Sequence, residues 1–193
     1  MIPTNMRLQI VAAAAILASV VVRAESPGGE AQRFPNVALR TQDSTTVRFY
    51  DDLIKGRVVM INFMFTTCTS ICPRTTANLV KVQKLLGERL DRDVRIISVS
   101  VDPVTDTPEV LREYAARYRT RPGWYFVTGN RNDIDLIRRK LGVYENDGDK
   151  TQHSGVLIYG NETTGQWAAT PALADPNTIA RSVMRLVGVS PPL

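Results

Sequence analysis

Two cysteines, one histidine and five methionines are the soft or nucleophilic side chains that this 193-residue chain offers. Cys68 and Cys72 stand four positions apart, with Pro73 directly after them. An apolar run, Met60-Ile61-Asn62-Phe63-Met64-Phe65, leads into Thr66-Thr67 and then the pair. Beyond Thr75, apolar residues recur at Leu79, Val82 and Leu86, which is helical spacing. The cysteines therefore belong where a strand ends and a helix begins. In a helical first turn, residues four apart share a face, so both sulfurs are expected to point the same way. Partial positive charge at a helix N-terminus lowers a thiol pKa and favours thiolate. Thiolate is the form that attacks disulfides and the form that binds soft metals. A bridge between residues so close encloses almost no loop and adds little stability, so a reactive pair is expected.

The elements that must position this pair can be read along the chain. Two short strands, 36–40 and 45–50, flank the turn Gln42-Asp43-Ser44, and 51–56 reads as a connector. Residues 57–65 form a near-continuous apolar strand, as expected when both faces are covered. The cysteine helix is expected to run to about Arg89, followed by a second buried strand at 94–101 that Asp102-Pro103 ends. Thr107-Pro108-Glu109 reads as a helix start, with Val110, Leu111, Tyr114, Ala115 and Tyr118 facing inward. A short strand at 124–127 precedes a helix capped by Asn130 or Asn132, lined inside by Ile134, Ile137 and Leu141 and stopped by Gly142. His153 opens a strand at 154–159, and a turn at 161–165 leads to its partner at 166–170. The last helix starts at Asp175-Pro176, buries Ile179, Val183, Met184 and Val187, and ends at Gly188.

Alternating strands and helices imply parallel pairing with right-handed crossovers. A terminal ββα after βαβα is the thioredoxin-like arrangement. The expected fold is α/β, with a central, mostly parallel sheet flanked by helices, an N-terminal β-hairpin and an inserted βα unit at 124–142. In open sheets of this kind, sites form at the carboxyl ends of the strands. The loop before the strand at 154 faces that same edge, which would bring His153 towards Cys68 and Cys72.

The residue inventory narrows the chemistry. Structural zinc usually takes four Cys or His ligands, and three are present. A blue-copper site needs two histidines, and there is one. Two thiolates and one imidazole suit a copper ion in either oxidation state, held at an open edge of the sheet. The competing use of the pair is thiol–disulfide exchange, which would make the protein an oxidoreductase. Oxidoreductases of this fold usually carry C-x-x-C and a proline before the facing strand. Here the spacing is C-x-x-x-C, and Gln152-His153-Ser154 enters the strand. Both departures favour metal, although a dithiol must be reduced to bind metal in any case. Asp102 reads as a strand-end turn residue, with a role beside the site as the alternative: a carboxylate near the cysteines that orients His153 or a client residue. Met60, Met64 and Trp124 read as core.

Several motifs carry a resemblance to a known family. Phe65-Thr66-Thr67-Cys68-Thr69-Ser70-Ile71-Cys72-Pro73, Ser98-Val99-Ser100-Val101-Asp102-Pro103 with Asp106-Thr107-Pro108, Trp124-Tyr125-Phe126-Val127-Thr128-Gly129 and His153-Ser154 are similar, in sequence and order, to the SCO/SenC family. The likeness runs from about Phe34 to Val187. It implies a thioredoxin-like copper metallochaperone that helps assemble the binuclear copper centre of cytochrome c oxidase. Carried onto this chain, the copper ligands are Cys68, Cys72 and His153. The implied partners are the copper-accepting oxidase subunit and, beyond it, other copper chaperones or thiol reductants.

The N-terminus points to export. Arg7 precedes an apolar run from Leu8 to Val22, closed by Val22-Arg23-Ala24. This resembles a signal peptide with a small-x-small cleavage site, and it is short for a span of roughly 20 residues. Residues 1–24 are expected to be a signal peptide or N-terminal anchor, 25–33 a flexible linker and 34–189 the folded domain. An exported protein in the bacterial periplasm follows, with membrane association through residues 7–22 if the leader stays. The formal charge of +5 includes Arg7 and Arg23, and the milder excess that remains gives no ground for a nucleic-acid partner. The basic run Arg138-Arg139-Lys140 suits a helix C-terminus.

Overall fold

The computed structural model describes residues 33–144 and 155–188. Seven strands form one sheet: β1 (Ala38–Thr41), β2 (Thr46–Arg48), β3 (Val58–Met64), β4 (Val94–Ser100), β5 (Trp124–Thr128), β6 (Val156–Asn161) and β7 (Gln166–Pro171). Four α-helices accompany it: α1 (Ile71–Leu86), α2 (Pro108–Arg117), α3 (Arg131–Lys140) and α4 (Pro176–Leu186). The strand order is β2-β1-β5-β4-β3-β6-β7. The α/β fold expected from the sequence is present, with its hairpin at one edge and the β5–α3 unit inserted between hairpin and centre. Parallel pairing holds for the three central strands, β3, β4 and β5. The hairpin and the β6–β7 pair join them antiparallel, so the flanks make the sheet mixed. The leader at 1–24, His153 and all but the last residue of the expected linker lie outside the described residues. No helix of the described residues is long and apolar enough to cross a membrane.

All seven residues of β3 are buried, which is why its sequence is nearly continuously apolar. The capping residues hold their expected places. Thr107 Oγ1 accepts from the Val110 amide (3.4 Å), Asn130 Oδ1 from Asp133 (2.9 Å) and Asp175 Oδ1 from Thr178 (2.9 Å). A bond of this kind is worth about 1 kcal/mol. Two boundaries differ from the sequence reading. The hairpin's second strand stops at Arg48, and Phe49–Ile54 winds into a π-helical turn rather than an open connector. Its buried residues are Phe49, Tyr50, Leu53 and Ile54, a helical spacing that overrides the alternation at 45–50. Helix α1 begins at Ile71, at the cysteines as expected, but it ends at Leu86 rather than Arg89, where Gly87 takes φ +56°. The stretch to Arg89 continues as a single 3₁₀ turn.

Register fixes what meets at the cysteine edge. β3 and β4 run parallel with Met64 beside Ser100, so the loops after both strands emerge together. β6 runs antiparallel to β3 with Ile61 beside Ile158. The start of β6 therefore lies at the same end of the sheet as the end of β3. Gly155 enters there, and a Cβ on it would meet Ile71 Cδ1 at 2.5 Å, so the bare backbone allows this close approach.

Candidate metal centre

The turn that leaves β3 sets the first sulfur. The Cys68 amide donates to the Phe65 carbonyl (3.3 Å), closing a reverse turn over Thr66 and Thr67. Cys68 Sγ then accepts the Cys72 amide N–H at 3.4 Å and lies 3.6 Å from Ser70 Oγ. Ser70 is the N-cap of α1, yet its side chain makes no capping bond. The sulfur of Cys68 takes that place, meeting an amide that the first helical turn leaves without a partner inside the helix. The two sulfurs are thus brought together by a turn followed by a helix start, and only Cys72 belongs to the helix. Both cysteines are free thiols, and both are buried, Cys68 at 7% and Cys72 at 2% exposure. The open edge expected for the pair is instead closed over by its neighbours, while Thr67, Thr69 and Ser70 face solvent. The reason is that Cys68 points inward onto the helix end.

This geometry splits the two thiols. Burial pushes the Cys68 thiol up, but hydrogen bonds from the Cys72 thiol and amide, and then from Ser70, outweigh it and leave Cys68 below its ordinary value. Cys72 is pushed up to about 12, first by burial and then by donating to Cys68, with the charges on Cys68 and Asp106 adding to this. Cys72 is therefore the thiol that keeps its proton longer and donates to Cys68, and Cys68 is the one that ionises more readily.

The loop after β4 forms the other wall. Asp102 is buried, its amide donates to Ser100 Oγ (3.0 Å), and its carbonyl accepts the amides of Thr105 (3.1 Å) and Asp106 (2.9 Å). Its backbone thus makes the turn expected of it. The residue that sequence reasoning missed is Asp106, which is fully buried. Its carboxyl accepts the Thr66 amide (3.2 Å to each oxygen), Thr66 Oγ1 (2.5 Å) and Ser100 Oγ (2.5 Å). Burial raises its pKa, against the pull of these hydrogen bonds, and the charge of Asp102 adds to the rise. The available signal was its place in the motif Asp106-Thr107-Pro108, just ahead of the helix start, which gives no hint of a tie to the cysteine turn.

Below Cys72, a crevice too narrow for water is lined by Asn62, Phe63, Ile71, Thr75, Gly155 and Val156. A wider groove of about 400 Å³, with Asp91, Arg112, Arg121 and Trp124 in its wall, lies near the start of β5, at the opposite end of the sheet from the cysteines. Among the described residues no group of three His, Cys, Asp or Glu side chains is set to hold a metal. His153, the expected third ligand, lies outside the described residues.

With a dithiol at the end of β3, the end of β4 against it and the start of β6 alongside, the comparison with known proteins is decisive. The SCO1/SenC family model matches residues 37–188. The chain belongs to the SCO1/SenC family. It is 42% identical over 91 residues to the SCO1 protein homolog of Bacillus subtilis, a match spanning 47% of this chain and 46% of that one. A putative copper-binding protein of Stutzerimonas stutzeri is 30% identical over 125 residues, covering 62% of this chain and 60% of that one. The chain thus spans about half the length of the curated SCO relatives it matches. Among solved structures, a SCO1/SenC family lipoprotein from Bacillus anthracis superposes with a TM-score of 0.68 at 27% identity, covering 79% of this chain and 94% of that one. The structure of BsSco, described as having a disulfide switch and belonging to a family of cytochrome c oxidase assembly proteins, gives 0.65 at 29% identity and covers 80% and 92%.

Proposed function

We propose that this SCO1/SenC protein binds one copper ion through Cys68, Cys72 and His153 and delivers it to the copper-accepting subunit of cytochrome c oxidase. The observation that carries this reading is a buried, reduced thiol pair, one member of which is held below its ordinary pKa, beside the start of β6. Gly155, two positions after His153 in the sequence, is seated against Ile71, the neighbour of Cys72, which supports His153 as the third donor. Two soft thiolates and an imidazole suit copper in either oxidation state. Three donors leave a coordination position through which a client cysteine or histidine can enter, so the ion passes by ligand exchange. The copper-binding and oxidase-assembly descriptions of the relatives fit this role. Export into the bacterial periplasm, as a free or anchored protein with a folded domain at 34–189, completes the reading, in keeping with a lipoprotein among its relatives.

Thiol–disulfide exchange on the client's cysteines is the second reading. It is favoured by the split between the thiols, since an attacking thiolate next to a protonated partner is what such exchange uses. Copper titration of the reduced protein against a competing chelator, alongside disulfide reduction by the copper-free protein, separates the two. Copper carriage predicts that His153→Ala weakens copper binding by about 10- to 100-fold or more while disulfide reduction stays slow. Unchanged binding in that variant removes histidine from the ligand set, and fast turnover with weak copper binding establishes the second reading.

A further inference from the structure

We propose that Asp106 is a positioning residue for the thiol pair: by holding Thr66, it fixes the turn that carries Cys68 and so sets how readily Cys68 and Cys72 join. Thr66 is the first corner of the turn closed by the Cys68 amide and the Phe65 carbonyl. Both its amide and its hydroxyl are donated to Asp106. The carboxyl is itself tied to the end of β4 through Ser100 Oγ, and the Asp106 amide is tied to the Asp102 carbonyl (2.9 Å). The groups donating to the carboxyl, those of Thr66 and Ser100, are neutral, and none of the ion pairs among the described residues includes Asp106. A fully buried carboxylate is costly to keep in place unless its hydrogen bonds hold something in position. What these bonds hold is the corner from which Cys68 turns inward to meet the Cys72 amide. With the corner pinned, the two sulfurs stay neighbours. Released, they meet less often, and the disulfide becomes less favourable relative to the dithiol.

The inference concerns the thiols alone and needs no metal, so its failure is separate from any failure of the copper reading. Closing the pair breaks two S–H bonds, forms one S–S bond and passes two electrons and two protons to glutathione disulfide, which leaves as two glutathione thiols. The test equilibrates copper-free protein in glutathione buffers and reads the disulfide fraction, with the Tm measured in parallel. Asp106→Ala is expected to lower the equilibrium constant for disulfide formation by about tenfold, raising the reduction potential by about 30 mV. Asp106→Asn, which keeps one acceptor for Thr66, should lie between this and the parent. Thr66→Val removes the hydroxyl without changing any charge, so it should shift the constant the same way by roughly two- to fourfold. If Asp106→Ala does not fold, Thr66→Val decides alone. Constants within twofold of the parent alongside a lowered Tm would make Asp106 a stability residue only and overturn the proposal. So would a shift towards disulfide, or equal shifts in the two Asp106 variants with none in Thr66→Val, since the last pattern means charge acting through space.

Discussion

Replacing Cys68 with alanine will lower copper affinity by at least about a hundredfold, and replacing Cys72 will do the same, beyond the range typical for losing an outer partner. The two losses have different physical origins. Cys68 is the thiol held below its ordinary value, so its removal takes away the donor that gives up its proton more readily. Cys72 holds its proton, and its removal takes away the second soft ligand and the thiol that donates to Cys68. The alanine variant at 68 also leaves the Cys72 amide without its sulfur acceptor, a loss of the size of a helix cap, about 1 kcal/mol or less. That small term keeps the fold, so a copper titration against a chelator of known affinity, read beside a thermal melt, separates lost ligation from lost structure.

Copper affinity will fall as pH falls, by about tenfold per pH unit between pH 9 and 7. The sign follows from the proton on Cys72. Its thiol is pushed up to about 12, so throughout this range it is protonated in the free protein and must release that proton to bind as thiolate. Cys68 is lowered and adds to the slope only at or below its own depressed pKa. The copper-free protein carries the matching stability effect. Because the folded pKa of Cys72 lies above the ordinary thiol value of 9.0, its contribution is fully present below pH 9 and is lost as pH rises towards about 12, up to roughly 4 kcal/mol. Cys68 runs the other way, with stability present above its unfolded value and lost as pH falls through its depressed folded one. Copper titrations at several pH values, with thermal unfolding of the copper-free protein between pH 8 and 11, check both effects. A flat affinity profile would mean that Cys72 is not a ligand.

Most of the architecture could be read because it depends on local rules. The apolar run of β3 announces a strand covered on both faces. Thr107, Asn130 and Asp175 each sit one residue before a helix with a side-chain acceptor, and each caps it. The turn at 49–54 escaped because Phe49 and Tyr50 extend the alternating pattern of the strand before them, and only their packing with Leu53 and Ile54 reveals the coil. The site was legible in its residue types but not in its depth. Cysteines four apart suggest one helical face, whereas a reverse turn folds Cys68 back onto the helix end and buries both sulfurs. Asp106 was hidden because its partners, Thr66 and Ser100, lie on other elements, and no local pattern records a tie of that range. That the start of β6 comes to the cysteine edge rests on its antiparallel register against β3 and the seat of Gly155 on Ile71, both tertiary facts.

X-ray absorption at the copper edge of the reduced, copper-loaded protein tests the ligand set most directly. Two sulfur scatterers and one imidazole nitrogen on each copper ion are expected, with the imidazole signal absent in His153→Ala. A copper ion bound by sulfur alone, with the same spectrum in that variant, would contradict it.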